Sequence, residues 1–261
     1  VLGRCDDSDG TIGDVFRHDA RELFVHYASD CADKEAVAAT LLKLVRKDDC
    51  SLRFPLLDSA VTYLPEPLLG TMVTTIRGWL NQAKSEYDRV HHSLQIESLA
   101  RQLKDVRLYT ETRLALYPQV TTASCIDIAR VCLECGELPE AAEWLDKIPA
   151  GETFLACERD RLLEELYRQQ GDGEKLTSLL TRNYGERPSL DTLQELLAVI
   201  GEEQRENMIN MARERIRDDV RFHGTHASFL LDVGRTAAAA EYVMAHAGEL
   251  DGNLYNSLLP L

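Results

Sequence analysis

Four glycines recur along the chain at a nearly constant spacing. Gly136, Gly171, Gly201 and Gly234 are separated by 35, 30 and 33 residues, and each lies between two apolar stretches of helical periodicity. A period of ~34 residues is typical of repeats in which two short helices form a hairpin, and such a hairpin buries its apolar face by stacking on its neighbour. The spacing therefore predicts a helical repeat protein.

The composition agrees with a helical fold and restricts what the chain can bind. Leu and Ala are abundant and only 7% of the 261 residues are aromatic, which favours helix over strand. No apolar run approaches the ~18 residues of a membrane span. The formal net charge is −15 and the basic residues are scattered, which disfavours nucleic acid. We expect a basic or neutral protein or peptide partner, no nucleic acid and no membrane.

The seven cysteines follow no regular framework. Most of them lie among Leu, Ile and Ala, which is typical of free thiols in a reducing compartment. This pattern predicts a cytoplasmic protein.

The first 87 residues predict two helical hairpins that are less regular than those that follow and resemble HEAT-like hairpins. Asp33 is expected to cap the second helix, and Pro65 is expected to end the third because proline lacks an amide donor. The first helix is predicted from five apolar residues on one face. These are Phe16, Ala20, Leu23, Phe24 and Tyr27.

Residues 88–261 predict a regular series of helix pairs that ends in a short cap at 249–261. No linker separates this series from the first 87 residues, so we expect one continuous solenoid of about seven hairpins. The predicted pairs are 89–103 with 106–117, 122–135 with 138–148, 157–170 with 173–184, 189–200 with 202–217, and 222–233 with 235–247. The turns between partners are expected at Asp105 and at the four glycines.

The clearest unit runs from Cys125 to Ile148 and resembles a tetratricopeptide repeat. Small residues stand at Ala129 and Ala141, where the two helices cross closely, and apolar residues stand at the other core positions. Those positions are Cys125, Ile128, Cys132, Leu145 and Ile148. The order of hairpins, repeats and apolar tail also resembles a group of uncharacterised bacterial helical-repeat proteins. The resemblance implies an all-α, right-handed α-solenoid of antiparallel hairpins.

In the tetratricopeptide family the first helix of each hairpin lines the concave face. Its groove positions carry over to Ile126, Arg130, Leu133, Glu134, Arg161, Glu165, Arg168 and Gln169. The resemblance therefore implies a non-catalytic scaffold that binds a protein or peptide, with no catalytic residue, metal or cofactor.

Two alternatives remain open. His223, His226 and His246 could converge in one hairpin and hold zinc in a metal-dependent enzyme. Alternatively, the chain is the regulatory half of a longer protein whose activity lies upstream of Val1.

Two further motifs are interpreted as structural. In Cys132-x-x-Cys135 we expect Cys132 to pack in the core, and we expect His91 and His92 to lie at the surface.

Overall fold

The computed structural model describes residues 15, 18–46, 48, 52–219 and 223–246, and in this part of the chain the fold is all-α. Fourteen α-helices and two short 3₁₀ segments are present, and no strand occurs among the described residues. The chain divides into two compact units, Val1–Ala156 (unit 1) and Cys157–Leu261 (unit 2). The all-α class predicted from the sequence is confirmed.

Unit 1 contains eight helices and a 3₁₀ turn at Ala60–Thr62. The helices are α1 (Asp19–Asp30), α2 (Lys34–Val45), α3 (Phe54–Asp58), α4 (Glu66–Gln82), α5 (Glu86–Gln102), α6 (Val106–Leu116), α7 (Thr122–Cys135) and α8 (Leu138–Asp146). Helices adjacent in sequence from α4 to α8 pack against each other. The change of pattern predicted at residue 87 falls inside this unit, in the first turn of α5, which packs against α4.

Unit 2 holds the remaining helices. They are α9 (Ala156–Gln170), α10 (Gly173–Glu186), α11 (Leu190–Ile200), α12 (Arg205–Asp218), α13 (Gly224–Asp232) and α14 (Thr236–Ala245), with a 3₁₀ turn at Glu202–Gln204. Its core gathers apolar side chains from α10 to α14, among them Tyr184 and Phe229, whose rings meet edge to face.

From residue 89 onward the predicted helix ends agree with the structure to within three residues, because the turns form where the sequence predicts them, whereas α3 ends at Asp58 and not at Pro65 as predicted. At Gly136 the backbone has a φ of +82°, and the amide of Glu137 donates to the carbonyl of Cys132, which closes α7. Lys104 takes the same left-handed position (φ +54°) at the turn predicted at Asp105. Gly201 is different, since a 3₁₀ turn follows it and α12 begins only at Arg205.

The local signals at the N-terminal hairpins have mixed outcomes. The amide of Ala36 donates to Asp33 Oδ1 at 2.9 Å, which confirms the predicted cap of α2. The predicted first helix is present, but Leu23 and Tyr27 are 72% and 67% exposed, so their expected burial is wrong. Phe16 lies outside the described residues.

The core positions predicted for the unit from Cys125 to Ile148 are buried. Cys132, Ala129 and Ala141 are fully covered, because α7 and α8 pack closely on one another. None of the described helices has the length and apolar character needed to cross a membrane.

Candidate functional site

Four of the predicted groove residues lie on α7, and they have different environments. Ile126 and Leu133 are 2% and 5% exposed, so they contribute to packing. Arg130 donates to the carboxylate of Asp127 at 3.3 Å. Glu134 accepts hydrogen bonds from the guanidinium of Arg101 at 2.9 and 3.1 Å, which ties α7 to α5. Arg130 and Glu134 are therefore the members of this set that remain half-exposed.

The other four predicted groove residues lie on α9 in unit 2. The side chain of Arg168 donates to Glu164 at 2.6 Å, and Gln169 donates to Glu165 at 2.7 Å, both one helical turn away. Arg161 is exposed. This face of α9 consists mainly of polar side chains that pair along the helix, and its role in ligand binding stays a prediction.

A cleft of about 700 Å³ lies in unit 1 at the loop that joins α6 to α7. We call it the Tyr117 cleft; its walls are Arg113, Leu116, Tyr117, Pro118, Gln119, Thr121, Ala123, Ser124 and Asp127. The N-terminus of α7 is fixed by a reciprocal pair of hydrogen bonds, in which the amide of Ser124 donates to Thr121 and the amide of Thr121 donates to Ser124. The cleft therefore has one rigid wall.

A partly buried ion network extends from the wall of the Tyr117 cleft into unit 1. The guanidinium of Arg113 contacts Glu97 at 2.9 Å and Asp127 at 3.4 Å, and it donates to the hydroxyl of Tyr109 at 2.9 Å. Asp127 also contacts Arg130, so a residue predicted for the groove is linked to a residue that lines the cleft. One arginine thus serves two carboxylates from two different helices.

Glu97 is the most unusual member of this network. It is 3% exposed, and its Oε1 atom has no hydrogen-bond partner among the described residues. Burial raises the pKa of Glu97 to about 7; the nearby Arg113 opposes this rise and Asp127 adds to it. The carboxyl group therefore exchanges a proton near neutral pH.

Sequence reasoning missed the burial of Glu97. It also missed the environment of His91 and His92 on the same helix. His92 is 7% exposed, so its predicted surface position is wrong, and its Nδ1 lies 3.1 Å from the amide oxygen of Gln95. The amide group of Gln95 in turn donates to the carbonyl of Val45 at the end of α2. Helix α5 is covered by α3, α4 and α6, and this burial on several sides leaves no simple periodicity in the sequence.

The three histidines proposed for a metal are separated by Tyr242. The ring centres of His223 and His226 are 4.9 Å apart, whereas the ring of His246 is tilted by 48° against that of Tyr242 and its Nδ1 lies 2.9 Å from the carbonyl oxygen of Tyr242. Within the described ranges, no group of three or more His, Cys, Asp or Glu side chains is arranged to hold a metal ion. The predicted convergence of these histidines into one site is not observed.

The Cys132-x-x-Cys135 pair is placed as the sequence predicted. Cys132 is fully buried, and the pKa of its thiol is raised to about 11, first by burial and then by the charge of Glu140. Such a thiol stays protonated and behaves as an apolar side chain.

Comparison of the chain with protein-family models, with curated proteins and with solved structures gives no match.

Proposed function

We propose that this protein is a non-catalytic scaffold that binds a segment of another protein or a peptide. In this proposal the hairpins of a tetratricopeptide-like, right-handed solenoid hold side chains at fixed spacing, so that a ligand docks with little further ordering. The cytoplasm is the proposed compartment, in keeping with the number and setting of the cysteines.

The observation that carries the proposal is the Tyr117 cleft. Its volume lies within the range of ligand sites, and its apolar side chains surround one charged pair, Arg113 and Asp127. Tyr117 is 47% exposed, so its ring offers an amphipathic contact area to a ligand. Arg130 lies beside the cleft through its bond to Asp127 and supplies a further cationic contact.

Selection of peptides from a random display library on the purified full chain tests this proposal. The affinity of a selected peptide is then measured for the wild type and for Tyr117→Ala. We expect about tenfold weaker binding to the variant, because a half-exposed aromatic anchor is lost.

Val120→Ala is the matched control. Val120 is 54% exposed and lies in the same loop, but it does not line the cleft. Equal affinities of the two variants would contradict docking in the cleft. Selection of no peptide above background would contradict peptide binding itself.

A further inference from the structure

A second cleft in unit 1 differs from the Tyr117 cleft in charge. It has a volume of about 700 Å³ and lies between the N-terminal part of α6 and helix α8. We call it the Trp144 cleft; its walls include Leu103, Val106, Glu111, Glu137, Glu140 and Trp144. A smaller cavity of about 340 Å³ shares Leu103 and Glu111 with it and is also lined by residues of α4.

The carboxylates of this cleft are not balanced by the chain itself. Arg107 is paired with Glu111 at 2.8 Å, and Asp105 accepts the amide of Leu108 as the cap of α6. Glu137 and Glu140 have no hydrogen bond or ion pair from their side chains to any described residue. Lys104 is the remaining cation in the wall, so the four carboxylates and two cations that line the cleft leave it negative.

The helix dipole accounts for only part of the acidic charge of α8. Acidic residues near the N-terminus of a helix are favourable, which suits Glu137 and Glu140, but acidic residues near the C-terminus are not. Helix α8 carries Glu143 and Asp146 towards its C-terminal end and has no basic residue in its last turn. The acidic character therefore continues along the whole helix.

Trp144 adds a contact that favours cations. The ammonium group of Lys147 lies 3.2 Å from the centre of the indole ring, so this ring already binds a cation on one side. Lys147 does not line the cleft, whereas Trp144 does. Trp144 therefore contacts the ammonium of Lys147 and also lines the cleft, together with Glu137 and Glu140.

We propose that the Trp144 cleft binds a basic protein segment, with an arginine or lysine side chain against Trp144 and its charge near Glu137 and Glu140. The net charge of −15 attracts such a segment over a longer range. This surface is separate from the Tyr117 cleft, so the inference does not depend on ligand binding there.

The probe is a fluorescein-labelled octapeptide of alternating arginine and alanine, and its binding is followed by fluorescence anisotropy on the full chain. We expect Glu140→Gln and Trp144→Leu each to weaken binding by about fivefold or more at about 50 mM salt. Trp144→Phe keeps an aromatic ring and should bind with intermediate affinity. Circular dichroism checks that each variant retains its helix content.

Glu143→Gln is the matched control. Glu143 is exposed on the same helix and does not line the cleft, and its substitution changes the net charge by the same amount as Glu140→Gln. It should weaken binding by less than about twofold. Equal losses for Glu140→Gln and Glu143→Gln would overturn the proposal, since net charge alone would then explain binding. Equal binding of the alternating glutamate and alanine peptide, or no binding of the arginine peptide, would also overturn it.

Discussion

A buried carboxylate in unit 1, Glu97, and one in unit 2, Asp160, are neutralised differently by neighbouring arginines. In unit 1, Glu97 is 3% exposed and shares its one arginine, Arg113, with Asp127. In unit 2, Asp160 is 6% exposed and receives two arginines, Arg159 at 3.3 Å and Arg182 at 3.0 Å. Burial raises the pKa of Glu97 although Arg113 opposes this rise, and one oxygen of Glu97 has no hydrogen-bond partner among the described residues, so we expect unit 1 to be the more sensitive to the loss of a single cation.

The largest effect is expected from Arg113→Met. Removal of the guanidinium leaves Glu97 as a buried charge without a partner, and we expect the free energy of unfolding to fall by about 3 kcal/mol at pH 8. The measurement is urea denaturation followed by circular dichroism. The loss should be smaller at pH 6, where Glu97 is protonated, and an equal loss at both pH values would contradict the assigned role.

The pH dependence of stability separates Glu97 from the other acids. Its folded-state pKa of about 7 lies above its ordinary value of 4.5, so between these values the folded chain binds more protons than the unfolded chain. Its contribution to stability is therefore present below about pH 4.5 and lost as pH rises to about 7, by up to about 1.4 kcal/mol per pH unit.

Glu97→Gln tests this assignment, because glutamine does not titrate. The stability of the variant relative to the wild type should increase as the pH is raised from 5 to 7 and then level off. A difference that is independent of pH would show that Glu97 does not titrate in this range.

A smaller effect is expected from Arg159→Met in unit 2. Asp160 keeps Arg182, so the free energy of unfolding should fall by only about 1 kcal/mol in the same denaturation experiment. The double variant with Arg182→Met should lose more than the sum of the two single variants, because only then is Asp160 left alone. Additive losses would argue that the two arginines do not act on one carboxylate.

The smallest effect is expected from Arg101→Gln. Arg101 binds Glu134 with two nitrogens, but both side chains are more than two-fifths exposed. Water and salt weaken such a pair, so the free energy of unfolding should change by about 0.5 kcal/mol. A loss as large as that of Arg113→Met would show that burial is not what distinguishes the two ion pairs.

The candidate sites were less predictable than the helices. Arg130 and Glu134 were found through the repeat pattern and lie at the surface of unit 1, whereas Ile126 and Leu133 on the same helix are buried. Neither cleft could be predicted from the sequence. Each is formed by residues of α6 together with residues of α7 or α8, and the sequence pattern does not show which side chains of different helices meet. The pairing of Glu97 with Arg113 was missed for the same reason.

The sequence by itself determined most of the helices and their ends, although not the end of α3 at Asp58. Periodic apolar residues, capping residues such as Asp33 and the positive φ of the four glycines act within a few residues, so the local sequence specifies them. Only the tertiary structure decided which side chains are covered on several sides. Burial depends on the neighbouring helices. It raises the pKa of Glu97, whereas no described helix covers Leu23, which is exposed.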